Sequence, residues 1–311
     1  MERLDLLITA SRQDTDNEDF DETTGIPDAA FIRWANRAQE RIQARILKQK
    51  PSVFQKEKVT QCVASQESYS TPADLFLGTR IEALYYTPSG QDADYYELDL
   101  KGEHERLTGQ SNHPAFYIRR SAQLLLQPKP PTSVAKIRYT YQQTLPKLDV
   151  RRGTISAITL SATELTAFTL DPTTLTEDNA TEITNKQYLS IVDKDGNIKM
   201  ANVAVTSIDL TTGVVTLDGN HTLDTSETGA VGQYVVAGKF ATTHSALNDN
   251  CERYLSAYMD WKAQRKDSSN DATESNGELK AIEDDIVESY AEAEANVLGV
   301  PIINTEYLAP G

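Results

Sequence analysis

PDAAFIRWANRAQERIQARILKQK, Pro27–Lys50, is the stretch on which the reading of this chain turns. Phe31, Trp34, Ala35, Ala38, Ile42 and Ile46 recur at intervals of three and four, the apolar stripe of an amphipathic helix. Pro27 and Asp28 are start signals for it. Its opposite side carries Arg33, Arg37, Arg41 and Arg45 at four-residue spacing. Such a line is either a solvated face, with Gln39 and Glu40 beside it, or a contact for an acidic partner or neighbouring subunit. DNA phosphate is a third and weaker reading.

A stripe of this kind needs something to cover it. Upstream, Leu4, Leu7, Ile8 and Ser11 share a helical spacing within Met1–Arg12 and predict a short helix. The acid-rich run Asp14–Glu22 between them reads as an exposed loop. An EF-hand counted from Asp14 would need Gly at its sixth position, where Asp19 stands, so the run is not read as a calcium loop.

The helical period returns after Gly238. Leu247, Cys251, Tyr254, Leu255 and Tyr258 share one face, Trp261 follows, and the helix is predicted to end near Lys266. Asp267–Glu274 is turn and cap chemistry, and Ser275 with Glu278 forms a capping-box pattern for a last helix. Its stripe is Leu279, Ile282, Ile286, Tyr290 and Ala293, and its remainder, including Glu283, Asp284 and Glu288, is acidic. Gly299 and Pro301 stop it. The tail that follows holds Pro301, Ile302, Ile303, Tyr307 and Leu308, too apolar for an idle terminus. Neither terminal stripe can be buried alone, so the helices at both ends are predicted to form one bundle.

Between them the period is two. Strands are predicted near Lys58–Ala64, Arg80–Thr87, Ala115–Arg119, Gln123–Gln127 and Ala135–Tyr141, with Pro72, Pro88, Pro114, Pro130 and Pro131 falling between them, and a helical turn or two at Leu100–Leu107. Tyr85, Tyr86, Tyr95, Tyr96, Tyr117, Tyr139 and Tyr141 cluster here, as core or as an intersubunit surface. From Gly153 to Lys239 Thr, Ile, Val and Leu dominate and hairpin signals recur at Lys194–Asn197 and Thr211–Gly213, which predicts a small all-β domain, sandwich or barrel. The fold class is therefore α+β: a helical bundle of N- and C-terminal helices with a β-sheet region, residues 1–152 and 240–311, and an inserted all-β domain, 153–239.

Composition removes several function classes. A net charge of −16 over 311 residues argues against coating nucleic acid with the general surface. No run of apolar residues is long enough for a membrane-spanning helix, and the N-terminus lacks the pattern of a secretion signal. His104, His113, His221 and His244 stand apart from one another and from the two cysteines, and no HExxH, CxxC, P-loop, GxGxxG or GxSxG pattern occurs. The expectation is a non-enzyme without metal or cofactor.

Three stretches carry a family resemblance: FIRWANRAQERIQARI (Phe31–Ile46), YSTPADLFLGTRIEALYYT (Tyr69–Thr87) and PAFYIRRSAQLLLQPKPPTSVAKIRYTYQQTLPKL (Pro114–Leu148), followed at the C-terminal end by NDNCERYLSAYMDWKAQRKD (Asn248–Asp267). In this order they resemble the head-to-tail adaptors of tailed bacteriophages, also called connector or ring proteins. The resemblance covers about two thirds of the chain and is interrupted by Gly153–Lys239. It implies a structural virion protein made in the host cytoplasm and sited in the neck. There it would form a homo-oligomeric ring, twelvefold in the family, between the portal and a tail or nozzle protein, with DNA passing through the lumen without sequence-specific binding. It further implies that the tail from Pro301 docks into the portal and that the helices pack subunit against subunit. Arg33, Arg37, Arg41 and Arg45 would then face Glu283, Asp284 and Glu288 of a neighbour. The competing reading is a tail accessory or carbohydrate- and surface-binding module built on the β-rich middle.

Overall fold

The computed structural model describes residues 2–15, 25–72, 74–76, 81–107, 112–161, 164–222, 231–247, 251–266 and 272–298. The fold is α+β, and the chain divides into two compact units, Met1–Arg45 with Pro146–Gly311, and Ile46–Leu145.

The first unit begins with α1 (Leu4–Asp14), which buries Leu4, Leu7, Ile8 and Ser11, the predicted stripe. Next comes α2 (Asp28–Gln49), whose Phe31, Ala35, Ala38 and Ile42 are fully buried. Full burial of a side chain the size of Phe31 is worth about 2–3 kcal/mol. Arg12 joins the two helices: it forms an ion pair with Asp28 at 2.6 Å and lies over the Phe31 ring, 5.3 Å from its centroid.

The second unit is built from β1 (Gln55–Gln61), β2 (Ser68–Ser70), β3 (Ile81–Thr87), β4 (Tyr96–Glu97), β5 (Asp99–Lys101), β6 (Phe116–Arg120), β7 (Gln123–Gln127) and β8 (Lys136–Gln142). They form two four-stranded sheets, ordered β1-β8-β3-β4 and β2-β7-β6-β5. Alternation sends Ile137, Tyr139 and Tyr141 of β8 and Leu124 and Leu126 of β7 into one core with Leu84, Tyr86 and Tyr117. Most of the tyrosine cluster is thus core, while Tyr96 on the edge strand β4 is exposed. One local expectation is corrected: the first strand runs Gln55–Gln61, starting three residues earlier than Lys58. The helical turn expected at Leu100–Leu107 is present as a single 3₁₀ turn at Glu103–Glu105, directly after strand β5. Glu–His–Glu is too short a helical signal to override pairing of β5 with β6.

The first unit resumes with β9 (Lys147–Leu148), then β10 (Gly153–Ser161), β11 (Glu164–Leu170), α3 (Glu177–Lys186), β12 (Tyr188–Val192), β13 (Ile198–Ile208), β14 (Val214–Thr222), β15 (Tyr234–Ala237) and β16 (Ala241–Thr242). β10 to β15 close into a six-stranded barrel, ordered β10-β11-β14-β13-β12-β15, around Ile155, Phe168, Leu189, Ile191, Val203 and Val215. Closure removes every free sheet edge, which the sandwich alternative would have left. Gly213 makes the β13–β14 turn: φ is +72°, and a side-chain carbon there would lie 2.5 Å from the Leu170 carbonyl oxygen. The all-β expectation for this region is corrected by α3. Thr176 caps it by accepting a hydrogen bond from Asn179 N at 3.2 Å, and its buried stripe is only Ala180 and Ile183. So short a stripe is hidden among threonines that read equally well as strand.

The barrel's two connections lie side by side. β9 and β16 pair in parallel, Lys147 with Ala241 and Leu148 with Thr242. α2 clasps both: Asn36 exchanges hydrogen bonds with the Leu148 backbone at 2.8 Å in each direction, Gln39 donates to Pro146 O at 2.8 Å, and Ser245 donates to Gln39 Oε1 at 2.6 Å. Behind this pair Asp149, fully buried, receives Arg152 Nη2 at 2.6 Å and Ala237 N at 2.8 Å. The C-terminal helices are α4 (Glu252–Lys266) and α5 (Ala272–Leu298); α4 packs on both α1 and α5. α5 starts three residues before Ser275, so the predicted capping box lies inside the helix.

Removing one member of a buried ion pair strands the other. Asp149→Ala is expected to lower the unfolding free energy by about 3 kcal/mol in urea titration. Asp149→Leu combined with Arg152→Met is expected to recover more than half of that, and a double variant as unstable as the single one contradicts the assignment.

Candidate functional site

The arginine line of α2 is exposed as its spacing requires, but its members divide. Arg41 Nη2 lies 2.6 Å from Glu283 Oε2, and Arg45 lies 2.6 Å from Asp284 and 3.4 Å from Glu283. These contacts run between α2 and α5 of one chain. Glu283, expected on the acidic outer side of the last helix, is only 2% exposed. The reason is positional: it follows Leu279 by four residues, and the long arginines reach over the seam to meet it. Burial opposes the charge on Arg41, yet Tyr254 and the hydrogen bond to Glu283 raise its pKa. Burial, then Glu283, raises that of the Tyr254 phenol.

Arg33 and Arg37 are exposed and have no ion-pair partner among the described residues. Glu288 is exposed as well. Of the seven residues predicted for the intersubunit contact, the structure therefore brings Arg41, Arg45, Glu283 and Asp284 together within one chain. Pro301, Ile302, Ile303, Tyr307 and Leu308, predicted for portal docking, lie outside the described residues.

Two features on α4 carry no periodic signal strong enough to single them out. Trp261 is half-buried, with Lys262 Nζ 4.1 Å from its ring centroid. One residue earlier, Asp260 accepts a hydrogen bond from the Ser11 hydroxyl at the α1–α4 contact and lines a small open cleft of 260 Å³ with Asp14, Arg253 and Glu278. Burial pushes the Asp260 carboxyl up to about 6, with Asp14 and Glu278 adding to the effect and Ser11 opposing it. Among the described residues no three His, Cys, Asp or Glu side chains are grouped to hold a metal ion.

What the chain offers is thus a set of helical and strand-edge surfaces. The sequence model of a family described as SU10 adaptor protein matches residues 3–185. The chain belongs to that family. It is a phage head-to-tail adaptor, and the match runs from α1 through both sheets of the second unit and into the barrel as far as α3. None of the curated proteins compared with this adaptor matches it. No helix of the adaptor, among its described residues, is long and apolar enough to cross a membrane.

The seam and the cleft each give a measurable outcome. Glu283→Ala is expected to cost about 2–4 kcal/mol, because two arginines lose a buried carboxylate. Asp284→Ala, at an exposed end of the same network, is expected to cost less than about 1 kcal/mol. Equal losses in chemical denaturation refute the distinction. For Asp260 the folded state favours the protonated form. Its stabilising effect is present in acid and fades as pH rises through about 6. Asp260→Asn is therefore expected to match the parent near pH 4 and to exceed it above pH 7 by on the order of 1–2 kcal/mol. A constant difference across that range is incompatible with a raised pKa.

Proposed function

We propose that this chain is a non-catalytic structural subunit that assembles into a closed ring, twelvefold as in the family it resembles, between the portal of a filled phage head and the tail. The observation that carries the reading is the family match over residues 3–185, which takes in α2 and both sheets of the second unit. Residues 1–152 and 240–311 act as the adaptor core, a bundle of the terminal helices with its sheets, and residues 153–239 as a module set into it. The paired connections β9 and β16 support that division, since an inserted module needs entry and exit close together. The tail from Pro301 docks into the portal, and the opposite side of the ring offers a platform to a tail or nozzle protein.

DNA crosses the lumen without being read. A surplus of 16 negative charges suits a conduit, because an acidic wall does not hold phosphate. Such a subunit is made in the host cytoplasm and resides in the virion neck.

The alternative, a carbohydrate- or surface-binding module, would need exposed aromatic platforms on the barrel. Phe168 is buried, and the rings of Tyr188 and Tyr234 are each covered, by Lys239 at 4.3 Å and Arg151 at 3.5 Å. Buried or capped on one face by a cation, these three aromatics do not form the open platform that stacking on a sugar needs.

Mixing the purified protein with portal-bearing particles and imaging the vertex tests the proposal. A ring of added density beneath the portal is expected, and truncation before Pro301 is expected to abolish it without unfolding the chain. An undecorated vertex with the full-length protein defeats the reading.

A further inference from the structure

Along α4 the rings of Tyr254, Tyr258 and Trp261 follow one another, with centroid separations of 6.2 Å and 5.5 Å. The series leads from a fully buried ring to a half-exposed one. At its outer end Lys262 and Arg265 both lie against Trp261, at 4.1 Å and 5.7 Å from the ring centroid. α2 adds Arg37 and Arg41, close enough that with Arg265, and after burial itself, they lower the pKa of Lys262.

Arg41 is neutralised by Glu283, but Arg33, Arg37, Lys262 and Arg265 have no carboxylate partner among the described residues. A chain with 46 acidic and 30 basic residues thus sets Lys262 and Arg265 against one tryptophan with Arg37 near Lys262, none of the three ion-paired among the described residues. Their mutual repulsion is a cost in the free chain that an external anion removes. Trp, Tyr and Arg together are the composition of a protein-binding hot spot. A DNA duplex would answer the charge with phosphates but gives Trp261 no apolar surface to cover.

The chain also carries a surface of the opposite kind. β4 and β5 are the outermost strands of their sheets. Asp92 and Asp94 in the 3₁₀ turn just before β4, Glu97 in β4 and Asp99 in β5 are all exposed, and none is in an ion pair among the described residues. Between and beside these carboxylates Tyr96 is 38% exposed and Leu100 61%. An acidic edge that also exposes Tyr96 and Leu100 answers a cationic face built on a half-buried tryptophan in both charge and hydrophobicity.

We infer that the basic, aromatic face of α2 and α4 (Arg37, Trp261, Lys262, Arg265) docks on the acidic strand edge Asp92–Leu100 of a second copy of this chain. Two unlike patches meeting in this way form a heterologous, head-to-tail contact, the kind that closes rings. The inference rests on the ring reading above and supplies it with a subunit interface different from Arg41–Glu283, which is satisfied within the chain.

Charge exchange on portal-bearing particles tests it. Arg37→Glu with Lys262→Glu is expected to lower the number of subunits bound per vertex by about tenfold, and Asp94→Lys with Glu97→Lys to do the same. Joining all four changes in one chain is expected to restore occupancy to within about twofold of the parent. Undiminished occupancy in either double variant overturns the inference, as does failure of the combined variant while its circular dichroism matches the parent. If the loss occurs only on DNA-filled particles and not on emptied ones, the face serves phosphate and the inference is likewise overturned. Should the parent itself leave the vertex bare, the ring reading falls, and the contact is judged separately by zero-length amine–carboxylate cross-linking in a concentrated mixture of isotope-labelled and unlabelled chains. A Lys262 link to Asp94 or Glu97 across isotopes upholds the contact, and its absence rejects it.

Discussion

A single buried carboxylate sets the geometry at the point where the barrel joins the rest of the first unit. Asp149 holds Arg152 on one side of the neck and the Ala237 amide on the other, so the strand that enters the barrel and the strand that leaves it are tied to one group. A carboxyl group with no solvent exposure is tolerable only when its oxygens are met by donors, and those donors come from both ends of an 89-residue excursion, Asp149–Ala237. α2 then fixes the outer face of the same neck through Asn36 and Gln39, polar residues that would otherwise interrupt an apolar stripe. Register of β9 against β16 and placement of Ser245 before α4 follow from that clasp.

Periodicity made the regular elements legible because their burial is one-sided. The stripe of α1 and the span Gln123–Gln127 of β7 agree residue for residue with what spacing alone predicts, and the edges of α2 fall within one residue of Pro27 and Lys50. What spacing could not convey was how far a long side chain reaches. Glu283 sits in an acidic run and looks solvated, yet Arg41 and Arg45 fold over it across a helix pair whose members are separated by more than two hundred residues in sequence. Asn36 and Gln39 were unremarkable for the same reason: their importance lies in the backbone groups they satisfy, which no local pattern displays. α3 was lost because its cap and two-residue stripe are embedded in threonine-rich sequence with high strand propensity.

The candidate surface was half visible. The exposed arginine line is a sequence feature, and its basic character survives in Arg33 and Arg37. Lys262 and Arg265 belong to a different helix and gain meaning only once Trp261 and α2 are seen together. Charge therefore plays two parts in this chain. Where it is buried, at Asp149 and Glu283, every carboxylate has arginine beside it and the pairs are structural. Where it is exposed, many cations and anions meet in surface pairs, as Arg120 does with Glu103 and Arg253 with Glu278, so Arg37, Lys262 and Arg265, which have no ion-pair partner among the described residues, stand out against that background.

The parallel pairing of β9 and β16 also bears on what this scaffold can carry. Neighbouring strands in a sheet stand about 4.8 Å apart, so the neck presents two chain ends at that separation whatever lies beyond them. On the division proposed above, that spacing makes the neck the socket of the barrel, its entry and exit held together by the clasp of α2.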